Sequence, residues 1–185
     1  MTKTIQESSE EYLCENDGIS KFVSEYLERD KESFVTLKEI KEIEANKDYV
    51  NPRYEELLMK HFYTEHILRK PLDKWPKSVH LLFEHLNPGI YTYMQGPSEF
   101  GISGDATLKD WDISDELKDI KVPTLMLGAK YDTMDPKYME WMATEVQNGQ
   151  SITTNGSHLS QFDDPEIYFS ALVKFIKDVD SREFK

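Results

Sequence analysis

The stretch Lys121-Val-Pro-Thr-Leu-Met-Leu-Gly-Ala-Lys-Tyr-Asp132 decides the fold. From Val122 to Ala129 it shows no polar–apolar alternation, the pattern of a strand covered on both faces in a parallel sheet between helices. Pro123 fits only near the start of such a strand, where a missing N–H costs least. Beyond Gly128 the chain turns polar and leaves Asp132 just past the carboxyl end of the strand. In open α/β sheets that edge is where ligands and catalytic groups collect.

The chain continues Thr133-Met-Asp135-Pro136, and Pro136 opens a helical pattern with Tyr138, Met139, Met142 and Val146 at helix spacing, closed by Asn148-Gly149. A short strand from Gln150 to Thr154 follows. Then come Asn155-Gly-Ser-His158-Leu159 and an amphipathic helix from about Pro165 to Asp178 carrying Tyr168, Phe169, Leu172, Val173, Phe175 and Ile176. The order of strand, acidic loop, helix, strand, histidine loop and helix resembles that of an α/β-hydrolase, whose triad runs Ser, Asp, His along the chain.

At 185 residues the chain holds one ordinary domain or a little more, and 38% hydrophobic with 12% aromatic residues is enough for a core. A formal charge of -13 argues against nucleic acid or anionic membrane as partners. The single cysteine, Cys14, permits no internal disulfide and reads as a free thiol in a reducing compartment. Neither an apolar run of membrane length nor a signal-peptide core near Met1 is present, so the expectation is a soluble, cytoplasmic protein.

Residues 1–33 read as a poorly determined, solvated leader in which Phe22, Val23, Tyr26 and Leu27 make a marginal helical stripe. Residues 34–118 read as a mostly helical subdomain, and 119–185 as the sheet-bearing part. In the helical part Leu37, Ile40 and Ile43 mark one helix. Asn51-Pro52 reads as N-cap and first helical residue, with Tyr54, Leu57, Leu58, Phe62 and Ile67 as the buried stripe. Lys70-Pro71 breaks that helix, and Trp75-Pro76 precedes another from Ser78 to Leu86. The segment Tyr91 to Gly101 reads as irregular, Trp111 as buried, and Ile113 to Ile120 as a short helix. His61, His66, His80 and His85 show no metal-ligand spacing and read as core or surface histidines. Nothing in the chain asks for a metal or another cofactor.

From Val35 to Phe184 the chain resembles the proline iminopeptidases (prolyl aminopeptidases). The resemblance is carried by Asn51-Pro-Arg-Tyr, Met94-Gln-Gly-Pro-Ser-Glu99-Phe100, Lys109-Asp-Trp111-Asp, Val122-Pro-Thr, Gly128-Ala-Lys-Tyr-Asp132 and Asn155-Gly-Ser-His158. It implies a partial α/β-hydrolase, the last strands and helices of the parallel sheet, with the helical region as a cap. It implies Asp132 as triad acid and His158 as general base. It implies Glu99, beside Phe100, as the partner of the free amino-terminal nitrogen of a substrate peptide beginning with proline. Many members carry Glu directly after the triad acid as a second amine partner; here that position is Thr133, which the resemblance implies, with Glu99 and Phe100, as a substrate-binding residue.

The chain contains no Gly-x-Ser-x-Gly nucleophile turn: Gly101-Ile-Ser103-Gly104 is one residue short, Gly149-Gln-Ser151 lacks the last glycine, and Ser157 adjoins His158. One weak neighbouring strand cannot bury the apolar one. The expectation is therefore the carboxyl-terminal portion of a serine aminopeptidase, from a truncated, split or misassigned reading frame, or a chain that completes its sheet with a second chain carrying the nucleophile half. Alone it should be inactive, since losing a triad nucleophile costs about 10⁶ in rate. A non-catalytic protein that binds peptide amino termini, and a cap-bearing hydrolase of another specificity, stay open as alternatives.

Overall fold

The structure is a computed structural model and describes residues 31–98, 102 and 105–181, with side chains at 36 and from 38 onward. The leader, Cys14, Glu99, Phe100 and Ser103 lie outside the described residues. Contacts divide the chain into two compact units: one runs up to Thr64 and resumes over Lys70–Trp111, the other joins Glu65–Arg69 to Asp112–Lys185.

The first unit is helical among its described residues. Helix α1 (Lys31–Ala45) buries Ile40. Asn51 caps α2 (Pro52–Leu57) by accepting the Arg53 N–H at 3.0 Å. A π-helical turn, Leu58–Tyr63, carries the run onward, with the Thr64 hydroxyl donating to the Lys60 carbonyl at 2.8 Å. The stripe read from the sequence is buried: Tyr54, Leu57, Leu58 and Phe62 are each at most 4% exposed. Trp75 and Val79 complete this core, with Tyr63 and Trp75 both against Phe83 at ring-centroid distances of 5.4 and 5.7 Å.

Helix α4 (Lys77–His85) ends at the Asn87-Pro88 boundary, but that pair also begins α5 (Pro88–Met94), where irregular chain is expected from the sequence. The reason is the one that starts α2. Asn87 Oδ1 accepts the Ile90 N–H at 3.1 Å, and Pro88 supplies a first helical residue with no N–H to satisfy. Trp111, expected to be buried, is 59% exposed; it closes a turn held by its own N–H to the Leu108 carbonyl, which leaves the indole outward.

In the second unit, Thr64–His66 forms one helical turn, α3, whose last residues belong here. The segment Ser114–Asp119 is 3₁₀-helical. Strand β1 (Thr124–Ala129) pairs in parallel with β2 (Gly149–Thr154), from Thr124 opposite Gly149 to Ala129 opposite Thr154. Between them runs α6 (Pro136–Glu145), its N-cap Asp135 accepting the Lys137 N–H at 2.8 Å. A short turn, α7 (Ser160–Asp163), and the long α8 (Pro165–Asp180) follow. Both α6 and α8 lie on the sheet.

The full burial that β1's composition predicts is not reached. Only Gly128 and Ala129 are buried and Thr124 to Leu127 are half-buried, because among the described residues the sheet has two strands. Phe169, Val173 and Ile176 of α8 stay about half exposed for the same reason.

Candidate active site

The parallel register brings two loops to the carboxyl ends of the strands, three residues beyond Ala129 at Asp132 and four beyond Thr154 at His158. The pairing continues past the strands. Lys130 N–H donates to the Thr154 carbonyl at 3.0 Å and Tyr131 N–H to the Gly156 carbonyl at 3.1 Å, so the loops leave the sheet tied together.

Asp132 and His158 meet there. His158 Nδ1 lies 3.0 Å from Asp132 Oδ1, within range for a ring N–H donated to a carboxylate. That tautomer puts the imidazole lone pair on Nε2. The same Oδ1 accepts the Met134 N–H at 3.2 Å and the Thr133 hydroxyl at 3.3 Å. Asp132 is thus held by its own loop, with its side chain 11% exposed against 37% for His158. A buried acid that orients a more accessible imidazole is the geometry of a general base and its partner. Thr133, expected to contact substrate, here turns its hydroxyl to the acid.

The histidine loop is braced by acids that sequence reading passes over. Asp163 accepts the Ser157 N–H at 3.1 Å, the Ser157 hydroxyl at 2.5 Å and the Arg69 N–H at 3.1 Å. Asp164 accepts the Asn155 N–H at 2.8 Å. Ser157 is fully buried in this network, which removes it as a nucleophile candidate on structural grounds too. Gly156 must be glycine: a Cβ there would stand 2.1 Å from Asp163 Oδ1. In sequence Asp164-Pro165 reads as one more helix start, and its carboxylate in fact makes no cap bond to α8.

His66 lies beside this pair, 1% exposed, with Nδ1 at 2.8 Å from the Tyr131 carbonyl oxygen. Burial pushes its pKa below the ordinary histidine value, against a smaller opposing pull from the Tyr131 carbonyl. The ring is therefore neutral near pH 7 and Nδ1 carries the proton it donates. The Arg69 guanidinium covers the Tyr131 ring at 3.6 Å. Only the spacing of His66, four residues after Phe62 in a buried stripe, hints at its burial in the sequence.

In the helical unit the Gln95-Gly-Pro-Ser98 run is described up to Ser98. Gly96 has φ 127°, a conformation L side chains rarely adopt. Ser98 is 2% exposed and its hydroxyl donates to Glu44 Oε1 at 3.4 Å, where the Tyr54 hydroxyl also donates, at 2.6 Å. Burial, with Glu44 close by, raises the Tyr54 pKa and keeps it a donor. The residue before Glu99 is thereby anchored within its own unit.

Among the described residues no cluster of three or more His, Cys, Asp or Glu could hold a metal ion, and no helix is long and apolar enough to cross a membrane. No family profile matches the chain. Individual proteins do. It is 50% identical over 149 residues to the proline iminopeptidase of Elizabethkingia meningoseptica, covering 80% of this chain and 49% of that protein. It is 50% identical over 148 residues to that of Flavobacterium johnsoniae, covering 80% and 48%. To that of Chitinophaga pinensis it is 46% identical over 143 residues, covering 77% and 47%. Among solved structures, VinJ superposes with a TM-score of 0.67 at 27% identity over 76% of this chain and 48% of that one. The proline iminopeptidase of Mycobacterium smegmatis gives 0.61 over 80% and 49%; at 24% identity it speaks for the fold alone. The chain spans about half the length of the relatives it matches. Over some four-fifths of its residues this chain is a homologue of the proline iminopeptidases and carries part of their α/β-hydrolase fold.

Proposed function

We propose that the chain supplies the acid and base of a serine aminopeptidase that releases amino-terminal proline from peptides. The observation that carries this reading is the 3.0 Å contact between Asp132 and His158 at the carboxyl edge of parallel strands. His158 Nε2 takes the proton of a serine hydroxyl, and Asp132 stabilises the imidazolium that forms. The kinship with proline iminopeptidases supplies the substrate class, a peptide with a free amino-terminal proline. Glu99 pairs the protonated secondary amine of that proline, with Phe100 beside it. Thr133, standing next to the acid, replaces the second carboxylate that many members place there.

The 185 residues hold no Gly-x-Ser-x-Gly, so in this reading the serine comes from the matching half of the fold, on the same polypeptide or on a second one. That half adds its strand to β1. That strand is apolar and half-buried, as a sheet interior needs, whereas β2 exposes Ser151 and Thr153 as an outer strand does. The apolar side chains Phe169, Val173 and Ile176 of α8 await cover from the same source.

The test is hydrolysis of a prolyl arylamide by the chain alone and by the chain mixed with the part of the Elizabethkingia meningoseptica protein it does not match. Turnover is expected in the mixture only, and His158→Gln removes it. Turnover by the chain alone that survives His158→Gln overturns the reading, as does a stable but inactive mixed complex. Binding of prolyl peptides by the chain without turnover in either sample favours the non-catalytic alternative.

A further inference from the structure

The acid and the base sit on loops 26 residues apart in sequence, and a third segment, Glu65–Arg69, holds both. His66 is its centre. The ring Nδ1–H donates to the carbonyl of Tyr131, the residue before Asp132, at 2.8 Å. The main-chain carbonyl of His66 accepts the N–H of His158 at 2.9 Å. One residue therefore binds the acid's loop through its side chain and the base itself through its backbone.

We propose that His66 is a positioning residue that sets the separation and alignment of Asp132 and His158. The neighbouring contacts agree in direction. Ile67 carbonyl accepts the Leu159 N–H at 2.9 Å, and Arg69 N–H reaches Asp163, which holds Ser157. These backbone contacts serve the histidine loop. Besides the acid–base contact itself, the two loops are joined among the described residues by His66, by the Arg69 guanidinium over the Tyr131 ring and by the Lys130–Thr154 and Tyr131–Gly156 bonds; of these His66 alone supplies the Tyr131 carbonyl with a donor, at the position of the ring Nδ1. An apolar side chain of similar size fills the same space and leaves that carbonyl unsatisfied inside the protein, which favours a peptide rotation that moves Asp132. His66 acts on the pair without touching the reacting atoms. The inference rests on Asp132 and His158 working as a coupled pair, and the measurements separate the two claims.

The full chain carries five histidines, so ¹⁵N-histidine spectra read each ring. In the wild type, at about pH 7 to 8, His66 should be the Nδ1–H neutral tautomer; an Nε2–H tautomer leaves no donor for Tyr131 and overturns the proposal. Asparagine places an amide N–H near the position of Nδ1, and glutamine places it near that of Nε2. In His66→Asn the titration midpoint of His158 should match the wild type, and in His66→Gln it should move by about half a unit or more as the Asp132 contact loosens. His66→Leu should move it further. A purely structural role predicts melting temperatures that fall while the His158 midpoint stays put in all three folded variants, and that result overturns the proposal. If His66→Leu does not fold, the contrast between asparagine and glutamine decides alone. Asp132→Asn is the control for the underlying pair: a His158 midpoint indifferent to that change refutes the coupling itself, whatever His66 does.

Discussion

The two units answer the same physical demand differently. In the helical unit the apolar stripe is satisfied within the unit, and apart from Thr36 and Ser98 its buried side chains are apolar or aromatic: Ile40, Leu57, Phe62 and Val79 are each 1% exposed. In the sheet unit polar side chains share the tightest places with Leu68, which is fully buried. His66, Thr154 and Ser157 are at most 1% exposed, whereas Phe169, Val173 and Ile176 are nearly half open. Packing supplies the cohesion of the first, and a hydrogen-bonded network around Asp132 and His158 supplies rigidity in the second. A sheet of two strands has too little apolar cover to do otherwise. The lesson is that the acid–base geometry does not depend on a finished sheet, because its braces come from loops.

The sharpest way to break this contrast is Asp132→Asn. In the complemented aminopeptidase it should lower kcat/KM by about 10⁴-fold, since the imidazole loses the partner that fixes its tautomer. Stability of the helical unit should be unchanged by it, which circular dichroism during denaturation would record. Next in size, Phe62→Ala should cost about 3–5 kcal/mol of unfolding free energy in urea titrations, for lost burial and the cavity left behind. A cost under about 1 kcal/mol would erase the distinction between the two units.

Gly156→Ala tests the brace directly. Its Cβ would collide with Asp163 Oδ1 and approach Ser160 Cβ at 2.9 Å, so a cost of about 1–3 kcal/mol is expected, along with faster amide exchange at His158. Acidification tests His66. Its folded pKa lies below the unfolded value of about 6.5, so the unfolded chain binds the proton first and stability falls as pH drops below about 6.5 toward the folded pKa. Glu65 and Asp132 oppose the depression and Arg69 reinforces it, but burial dominates. The unfolding free energy from urea titrations should fall by at most about 1.4 kcal/mol per pH unit in that window, and His66→Asn should flatten the slope. Smallest of all, Phe169→Ser should change the stability of the chain alone by less than about 0.5 kcal/mol, because the ring is 48% exposed. The same substitution should weaken complementation, measured as the partner concentration giving half-maximal turnover.

Asn or Asp before Pro marks a helix start, because cap and first residue are adjacent and their chemistry is local. Asn51-Pro52 and Asp135-Pro136 obey the rule. Asn87-Pro88 obeys it too, and α5 went unread because the following Gly89 resembles a helix end. Asp164-Pro165 satisfies the helix start through its proline while its carboxylate serves Asn155 instead. Trp111 shows the limit of residue type: an indole favours burial, but a turn with nothing packed over it leaves the ring in water.

Asp132 and His158 could be located from the sequence because each follows a strand whose apolar run, or whose place in the alternation of helix and strand, is written in neighbouring residues. The same pattern put both at one end of a parallel sheet, since parallel strands deliver their carboxyl ends together. What folding alone decided is the 3.0 Å approach of the two side chains and the identity of the residues that hold it. His66 lies 65 residues before the carbonyl it binds, and Arg69 94 before the carboxylate it meets. Contacts over such spans leave no periodic trace, because they depend on where separate segments come to rest rather than on how any one of them is patterned.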